Sequence, residues 1–273
     1  MERKQWMQEL SLIDFNEFRN WPKNEIFSDK VIPPLTPFFV RLDGWRFRKV
    51  SEIVKAEKPF DQRFAKCLVQ SAEALFKAGL KPALIYVVSD EVNALFIGNT
   101  PFRGRVEKIN SVISGIVSSA FTLYLQKVFG KEAVTSFDSR LVMASNLEKI
   151  MEYMVWRQMN AWRNHNNAYA YWILRKMGYT SSETGERLIG MRAEEINKLL
   201  LGHGVNLAKT PLWQRRGILI YKKHCMKRNE DYFIRRRIKE NWNLPLFTSE
   251  NGVKLLRQII EWMRQRRKPI VKK

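Results

Sequence analysis

Three carboxylates are the residues in this chain whose types and spacing could do chemistry. Asp43 ends one run of extended, apolar residues, and Asp90 and Glu91 lie between two others. Converging carboxylates in a basic protein favour a hard cation, and Mg²⁺ binds one or two carboxylates while water and substrate phosphates fill its other positions. Two such ions could activate an attacking hydroxyl and stabilise a leaving pyrophosphate. Alternatively, these acids form a surface turn and pair with a neighbouring arginine.

A ferredoxin-like order of elements would position the three acids. Hydrophobic periodicity and turn residues predict strand, helix, strand, strand, helix and strand over residues 38–43, 61–78, 84–88, 94–97, 106–129 and 140–144. This is the split βαβ arrangement, βαββαβ, in which the first and third strands are antiparallel neighbours. Asp43 should therefore meet Asp90 and Glu91 at one edge of the sheet, where Gly44 leaves room for close backbone approach.

Helical patterns dominate the second half of the chain. Helices are predicted over 147–177 and 182–201, followed by a short extended piece over 217–221. We therefore expect an α+β protein with two domains. Residues 1–145 would form the antiparallel sheet with helices on one face, and residues 146–273 a mainly helical, basic domain.

The charge of the chain indicates an anionic partner. Lys and Arg number 48 against 27 Asp and Glu, a net charge of +21, and 45% of the residues are apolar, which excludes a wholly disordered basic tail. About half of the excess lies in residues 222–273, with 16 Lys and Arg against 5 Asp and Glu and with aromatic residues interleaved. This pattern favours a nucleic acid. A membrane surface and a functionless basic face are the alternatives.

Cysteine usage and hydropathy indicate a cytoplasmic protein without a membrane segment. The two cysteines, Cys67 and Cys225, form neither a disulfide framework nor a zinc motif. The first ten residues are charged and have no apolar core, so no secretory signal is expected. The longest uncharged stretch, 109–125, contains six Ser, Thr and Asn residues and is shorter than the ~20 apolar residues of a membrane span.

Cationic side chains follow the third predicted strand. Arg103, Arg105 and Lys108 lie in the loop and first turn of the next helix, and Ser111 lies one turn further on. Cations beside the N–H groups of a helix N-terminus suit a triphosphate, and Lys58 is another cation of this kind. A solvated basic loop fits the same spacing equally well.

One apparent motif predicts no covalent chemistry. The sequence Arg41-Leu-Asp43-Gly44 resembles the Lys-x-Asp-Gly signature of enzymes that form a lysyl-nucleotide. Because arginine does not readily deprotonate, it cannot act as that nucleophile. A covalent enzyme–nucleotide intermediate through this motif is therefore not expected.

Taken together, these motifs resemble the tRNA-histidine guanylyltransferase family and its relatives, the reverse-direction (3′ to 5′) polymerases. The resemblance runs from about residue 38 to 222, and it is closest to the archaeal-type branch. It rests on Arg41-Leu-Asp43-Gly44-Trp-Arg-Phe47, Lys58-Pro-x-Asp61, Ser89-Asp90-Glu91, Arg105-x-x-Lys108 and Trp156-Arg157-Gln158. It implies a polymerase-like palm, two Mg²⁺ ions per active site, ATP and GTP as substrates, and a homotetramer that holds tRNA across subunits.

The resemblance also implies roles for individual residues. Asp43, Asp90 and the Gly44 carbonyl would hold the metal ions, and Glu91 would support or share that role. Lys58 and Ser89 match positions linked to ATP activation, whereas Arg105 and Lys108 match triphosphate-binding positions. In the family reaction ATP adenylylates a tRNA 5′-monophosphate, the 3′-hydroxyl of GTP attacks the activated phosphate, and pyrophosphate is then removed.

The second half departs from the family pattern. Many members carry His-Ile-Asn-Asn-Leu-Tyr-Asn after Trp-Arg-Gln, whereas Trp162 here takes the His position, Asn164 the first Asn and His165 the second. Strict selectivity for tRNA-His is therefore left open, beside template-dependent repair of other tRNA 5′ ends. Residues that could contact RNA are Arg163, Asn164, His165, Arg215 and Arg216. A partly buried polar helix face would explain residues 163–165 as well.

Two rival functions share these features. Another palm enzyme, such as a forward polymerase or a nucleotide cyclase, would use the same carboxylates without requiring a tRNA 5′ end. A non-catalytic RNA-binding protein could have a palm fold that has lost its activity, but it would not need all three acids. The number of nucleotides added, the preferred activating nucleotide and the role of residues 222–273 are not determined by the sequence.

Overall fold

A six-stranded antiparallel sheet forms the centre of the molecule, seen in a computed structural model that describes residues 23–98, 100–226 and 234–265. The strands are β1 (Phe38–Gly44), β2 (Leu84–Val88), β3 (Glu91–Phe96), β4 (Phe137–Met143), β5 (Ile218–Met226) and β6 (Ile234–Asn241). Their spatial order is β4-β1-β3-β2-β5-β6. The first four strands confirm the predicted order, with β1 and β3 as antiparallel neighbours.

Eight α-helices accompany the sheet in the described part of the chain. They are α1 (Phe47–Ile53), α2 (Gln62–Lys77), α3 (Val106–Phe129), α4 (Leu147–Lys176), α5 (Ser181–Leu188), α6 (Ala193–Gly202), α7 (Leu212–Arg216) and α8 (Glu250–Gln265). Asp61 caps α2, as predicted, since its Oδ1 accepts hydrogen bonds from the N–H groups of Arg63 at 2.8 Å and Phe64 at 3.4 Å. The predicted α+β class is therefore confirmed.

Side chains of alternating strand residues pack against different helices. Val40 and Leu42 of β1 point to α2 and α3, where Val117 and Phe121 are fully buried. This is the predicted layer of helices on one face. Phe39 of β1 points to the other face, which α4 and α8 of the second half of the chain cover; their buried residues there include Ile150, Met154, Leu256 and Ile260. Both faces of the central strands β1, β2 and β3 are thus largely buried.

Strands β5 and β6 were not predicted at their observed length. The pattern predicts only a short extended piece, but β5 pairs with β2 and β6 pairs with β5. β6 has few apolar residues because it is an edge strand, where charged side chains discourage further pairing. The sheet therefore continues across the predicted boundary at residues 145 and 146, and the two-domain division stays a prediction. Residues 1–22 of its first part, and 227–233 and 266–273 of the basic segment, lie outside the described residues.

Two helical predictions also need comment. The helix predicted over 182–201 is in fact two helices, separated at Gly190, whose φ of +79° suits glycine. Helix α3 is long and apolar enough to cross a membrane by length and composition. In this fold, however, one face of the helix, which includes Ile109, Val117 and Leu125, is fully buried against the sheet and α2.

Candidate active site

The structure brings Asp43, Asp90 and Glu91 to one edge of the sheet. Asp43 lies opposite Glu91 in the β1–β3 ladder. The backbone N–H of Gly44 donates a 3.0 Å hydrogen bond to the carbonyl oxygen of Asp90. The turn between β2 and β3 is tight, and Ser89 adopts a φ of +53° there. Two segments far apart in sequence are therefore held together by main-chain bonds.

Asp90 and Asp43 form a pair of neighbouring like charges. Burial is the main cause that raises the pKa of Asp90, followed by the negative charge of Asp43, while hydrogen bonds from its own backbone and from Ser89 partly oppose the shift. Within the described residues no arginine or lysine forms an ion pair with Asp90, and Asp43 accepts only a 3.1 Å bond from Arg41 Nη2. The site thus has an excess of negative charge that a cation would relieve.

Glu91 differs from both aspartates because other side chains already bind its carboxylate. It is 5% exposed. Arg157 donates from Nε to Oε1 at 2.8 Å and from Nη2 to Oε2, Arg41 Nε donates to Oε2 at 2.9 Å, and Asn93 Nδ2 donates to Oε1 at 2.7 Å. Glu91 is therefore paired with neighbouring arginines, as the alternative interpretation predicts. Of the three acids, only Asp43 and Asp90 remain available to a ligand.

The donor set at this edge fits Mg²⁺ rather than a metal held wholly by protein. No group of three or more His, Cys, Asp or Glu side chains is arranged to hold a metal in residues 23–98, 100–226 and 234–265. Mg²⁺ needs only one or two carboxylates, since water and phosphate oxygens complete its octahedron. Asp43 and Asp90 would supply these two groups, and both this role and that of the Gly44 carbonyl stay predictions.

A solvent-open cleft of about 980 Å³ adjoins Asp90. It brings together Lys58, Ser89 and Asp90, three of the residues predicted from the sequence. Phe60, Phe64 and Trp213 contribute apolar walls. A concave site with apolar walls and a few polar groups is typical of small-molecule binding, and a nucleotide fits that description.

Lys58 and Arg48 provide the positive charge of the cleft. Its Nζ donates to Ser51 Oγ and lies 5.6 Å from the ring centroid of Trp172. Burial lowers the pKa of Lys58, and Arg48 lowers it further, while Glu52 and Asp61 partly oppose the shift. An incompletely solvated ammonium that faces a cleft is well placed to bind a phosphate.

Arg105, Lys108 and Ser111 are not brought to the cleft. They are exposed at the start of α3, on the sheet face opposite to the side chain of Asp43. Lys108 Nζ lies 5.7 Å from the Phe102 ring, and the Ser111 hydroxyl donates to the Glu107 carbonyl at 2.7 Å. None of the three is among the residues that line the cleft. Their role in triphosphate binding stays a prediction.

The residues predicted to contact RNA are divided between two places. Arg163, Arg215 and Arg216 line a second groove of about 1830 Å³, together with the half-exposed rings of Trp156 and Trp162. No Asp or Glu is among the residues that line this groove. It is thus a positively charged surface with exposed aromatic faces, a combination suited to nucleic acid.

Asn164 and His165 line the nucleotide-sized cleft instead. His165 is 1% exposed, and its ring nitrogens contact Asn166 Oδ1 at 2.9 Å and Thr210 Oγ1 at 3.0 Å. Its ring stacks on Phe60 with centroids 5.8 Å apart. His165 is therefore a packing residue of the cleft wall in this fold, as the alternative of a partly buried polar face predicts.

Sequence reasoning missed the partners of Glu91. Arg157 is 6% exposed on α4, and Tyr153 one turn earlier donates a 2.5 Å hydrogen bond to Asn93 Oδ1. The available signal was an arginine on the apolar face of a predicted helix, since buried arginines almost always have an acidic partner. The identity of that partner required the tertiary structure.

Comparisons with known proteins agree with this geometry. The family model described as tRNAHis guanylyltransferase matches residues 18–145, and the model of the C-terminal domain of that family matches residues 148–268. The tRNA(His) guanylyltransferase of Candida glabrata is 28% identical over 205 residues, which cover 72% of this chain and 86% of that protein. A relative from Arabidopsis thaliana is 26% identical over 201 residues, and the match spans only 35% of its length.

Solved structures show the same fold. The crystal structure of tRNA(His) guanylyltransferase from Saccharomyces cerevisiae is 25% identical, with a TM-score of 0.66, and the match covers 75% of this chain and 92% of that one. A bacterial tRNA(His) guanylyltransferase-like protein in complex with ATP is 22% identical, with a TM-score of 0.71, over 88% of this chain and 97% of that one. With a sheet edge that carries two neighbouring aspartates, of which Asp90 has no cationic partner among the described residues, and family models that match most of its length, this chain belongs to the tRNAHis guanylyltransferase family.

Proposed function

We propose that this chain adds a guanine nucleotide to the 5′ end of tRNA by nucleotidyl transfer. The observation that carries the proposal is the neighbouring pair of carboxylates Asp43 and Asp90, joined through the Gly44–Asp90 hydrogen bond beside a cleft that contains Lys58. Family membership supplies the reaction class. The related bacterial protein in complex with ATP, and a second structure of such a protein in complex with GTP, support nucleoside triphosphates as substrates.

In the proposed reaction the 5′-phosphate of tRNA attacks the α-phosphorus of ATP, and pyrophosphate leaves. The 3′-hydroxyl of GTP then attacks the activated 5′-phosphorus, AMP leaves, and the new 5′ triphosphate loses pyrophosphate. Mg²⁺ bound by Asp43 and Asp90, two ions by the family pattern, would supply charge neutralisation at the reacting phosphates. The Gly44 carbonyl would add a further oxygen ligand.

The residues of the cleft have distinct proposed roles. Lys58 binds phosphate oxygens of the activating nucleotide, Ser89 presents its hydroxyl at the turn that carries Asp90, and Asn164 contacts the nucleotide from α4. Glu91 fixes the orientation of the side chains at this sheet edge through its hydrogen bonds with Arg41 and Arg157. Arg163, Arg215 and Arg216 bind the tRNA backbone. Arg105, Lys108 and Ser111, which lie outside the cleft, are proposed to bind the phosphates of a second nucleotide or of the tRNA.

The wider organisation is part of the same proposal. A homotetramer would hold tRNA across subunits, residues 1–145 and 146–273 would form a catalytic and an RNA-contacting part, and the protein would act in the cytoplasm. The net charge of +21 supports an RNA substrate. Because the chain matches only about a third of the length of the Arabidopsis thaliana relatives, each of these statements needs its own test.

The decisive experiment uses 5′-labelled, monophosphorylated tRNA-His that lacks its extra guanylate, with ATP, GTP and MgCl₂. A 5′-truncated tRNA of another specificity is treated in parallel, and products are resolved by length and by protection of the label from phosphatase. Extension of both tRNAs indicates template-dependent repair, whereas extension of tRNA-His alone indicates a dedicated guanylyltransferase. If folded wild-type chain with Mg²⁺ neither protects nor extends either tRNA, the proposal is wrong and the RNA-binding alternative gains support.

Catalytic variants separate chemistry from binding. Asp43→Ala and Asp90→Ala should abolish product formation but retain salt-dependent tRNA binding, because the basic groove lies elsewhere. The matched control is Asp138→Asn, since Asp138 lies opposite Asp43 on β4 but is exposed and paired with Arg140 at 2.9 Å. It should keep wild-type activity. Equal loss of binding and activity in folded Asp43 and Asp90 variants would contradict the assigned roles.

A further inference from the structure

The arginine on α4 that binds Glu91 is linked to Asp43 by a continuous series of hydrogen bonds. Arg157 holds both oxygens of Glu91, Glu91 holds Arg41, and Arg41 Nη2 reaches Asp43 Oδ2 at 3.1 Å. We propose that Arg157 is a positioning residue: by binding Glu91 at two points, it keeps Arg41 shared with Asp43 and so sets the orientation of the Asp43 carboxylate toward Mg²⁺. The inference deepens the proposed function.

Charge balance supports this role. Arg41 and Arg157 together offset the charges of Glu91 and Asp43. The exposed fractions of the side chains rise along the series, from 7% for Arg157 and 6% for Glu91 to 19% for Arg41 and 33% for Asp43. The interaction is therefore strongest at the buried end, where solvent screens the charges least. A change at Arg157 should therefore alter the orientation of the partly exposed Asp43 carboxylate.

Competition for Arg41 explains how the effect reaches Asp43. Arg41 Nη2 lies 2.8 Å from Glu91 Oε2 and 3.1 Å from Asp43 Oδ2, so the two carboxylates share one donor group. If Glu91 loses its two-point contact with Arg157, the buried carboxylate must draw Arg41 more fully to itself, since a buried carboxylate that lacks part of its hydrogen bonding is costly. Asp43 would then lose the hydrogen bond that orients it.

Helix α4 is firmly attached to β3 at this point, so Arg157 has little freedom to move. Tyr153, one turn before it, bonds Asn93 and stacks on Phe39 with centroids 4.2 Å apart. The Arg157 guanidinium lies 4.5 Å from the Trp156 ring. A rigid support of this kind is what holds a metal-binding carboxylate in a productive geometry.

The test measures metal affinity without turnover, on the full chain. Mn²⁺ binding in the presence of a non-hydrolysable ATP analogue, followed by electron paramagnetic resonance, should weaken about 10-fold or more in Arg157→Lys, the range for residues that orient metal ligands. Lysine keeps the charge but not the two-point contact. The matched control is Arg175→Lys, on the exposed end of the same helix, where the Arg175 side chain donates to the Tyr179 carbonyl at 2.6 Å; its Mn²⁺ affinity should equal that of the wild type.

A double-mutant cycle then tests the route through Glu91. If Arg157 acts through Glu91, Arg157→Lys combined with Glu91→Gln should weaken Mn²⁺ binding no more than the stronger single variant. Arg157→Gln, which leaves no buried cation without a partner when Glu91 is also replaced, takes the place of Arg157→Lys in the cycle if the lysine variant lacks a cooperative thermal transition. Unchanged Mn²⁺ affinity in folded Arg157 variants, or additive effects, would overturn the inference.

The outcome is distinguishable from a failure of the proposed function. A wild-type chain that binds Mn²⁺ but adds no nucleotide to tRNA would disprove the reaction and leave the positioning role testable. A wild-type chain that binds no Mn²⁺ would overturn the metal assignment and the positioning role together. With active protein, the Mg²⁺ concentration for half-maximal rate should rise in Arg157→Lys while KM for tRNA stays unchanged.

Discussion

Gly44 and Asp90 are joined by a 3.0 Å backbone hydrogen bond that links the end of β1 to the turn between β2 and β3. Glycine is required at position 44 for a reason that the sequence did not reveal. A Cβ there would lie 2.4 Å from Cδ2 of Phe47, which is 5% exposed in the core and stacks on Phe121. The geometry of the catalytic edge therefore depends on aromatic packing beneath it.

Gly44→Ala should damage both stability and activity. Because Phe47 also packs edge-on against Phe64 and Phe137, its ring cannot move without disturbing the core. We expect a loss of about 1–3 kcal/mol in the free energy of unfolding, the usual cost of overpacking, and reduced nucleotide addition. The control is Gly115→Ala in α3, where an added Cβ meets nothing within 4 Å. This variant should raise the free energy of unfolding by about 0.5–1 kcal/mol, because alanine is favoured over glycine inside a helix. Urea unfolding measures both, and equal stability of the two variants would contradict the packing argument.

Asp90→Asn should remove activity and yet stabilise the metal-free protein. Burial and Asp43 raise the pKa of Asp90 in the folded chain above its unfolded value. Between these two pKa values the native state binds more protons, so the free energy of unfolding falls as pH rises through this window. Above it, the ionised carboxylate destabilises the fold, and asparagine avoids that cost. Nucleotide addition should fall about 10²-fold or more, as when one group that stabilises transition-state charge is lost.

Chemical unfolding in EDTA at several pH values measures this effect. The stability gain of Asp90→Asn should be largest at pH 7.5 and should shrink as the pH falls and wild-type Asp90 takes up a proton. Asp138→Asn serves as the control at the same sheet edge, and neither its stability nor its activity should change in this way. A gain that grows toward acid pH would contradict the assigned direction of the pKa shift.

Lys58→Met should weaken ATP binding. Lys58 provides a partly desolvated ammonium in the cleft, and its loss removes one charged hydrogen bond to phosphate. We expect the Kd for ATP to rise about 10-fold or more, as the energy of such a bond implies. Isothermal titration calorimetry measures it, and Lys49→Met, on the exposed side of α1, is the control. Equal affinities in the two variants would exclude Lys58 from phosphate binding.

Local patterns predicted those parts of the fold in which sequence and burial agree. Helix α3 has the predicted bounds, because its apolar residues recur at helical spacing and Gly130, at φ +62°, ends it. The convergence of Asp43 with Asp90 followed from strand order alone. These features depend on neighbours in sequence or on a common topology, which a single chain already contains.

Other features depend on tertiary pairing that no local pattern carries. Strand β6 has a polar sequence that does not predict a strand. It forms because it pairs with β5, and not because of its own hydrophobicity. Glu91 has the same residue type as a metal ligand, and its contacts with Arg157 and Asn93, which distinguish it from Asp43 and Asp90, are visible only in the tertiary structure. Arg163 and His165 are two residues apart on α4, but helical geometry directs them to different surfaces.

His165 should make the protein less stable in mild acid. Burial lowers its pKa from the ordinary value of 6.5, and Arg215 lowers it further, while the Asn166 hydrogen bond partly opposes the shift. Below about pH 6.5 the unfolded chain therefore binds the proton before the folded chain does, so the free energy of unfolding falls as the pH decreases.

His165→Gln should lower the free energy of unfolding by about 1–3 kcal/mol at pH 7.5 through lost hydrogen bonds, and this difference from wild type should diminish by pH 5.5. Thr210→Val removes the same 3.0 Å contact but keeps the ring, so it should retain the wild-type pH dependence. If His165→Gln and Thr210→Val follow the same pH profile in urea unfolding, protonation of His165 does not govern the stability of the cleft wall.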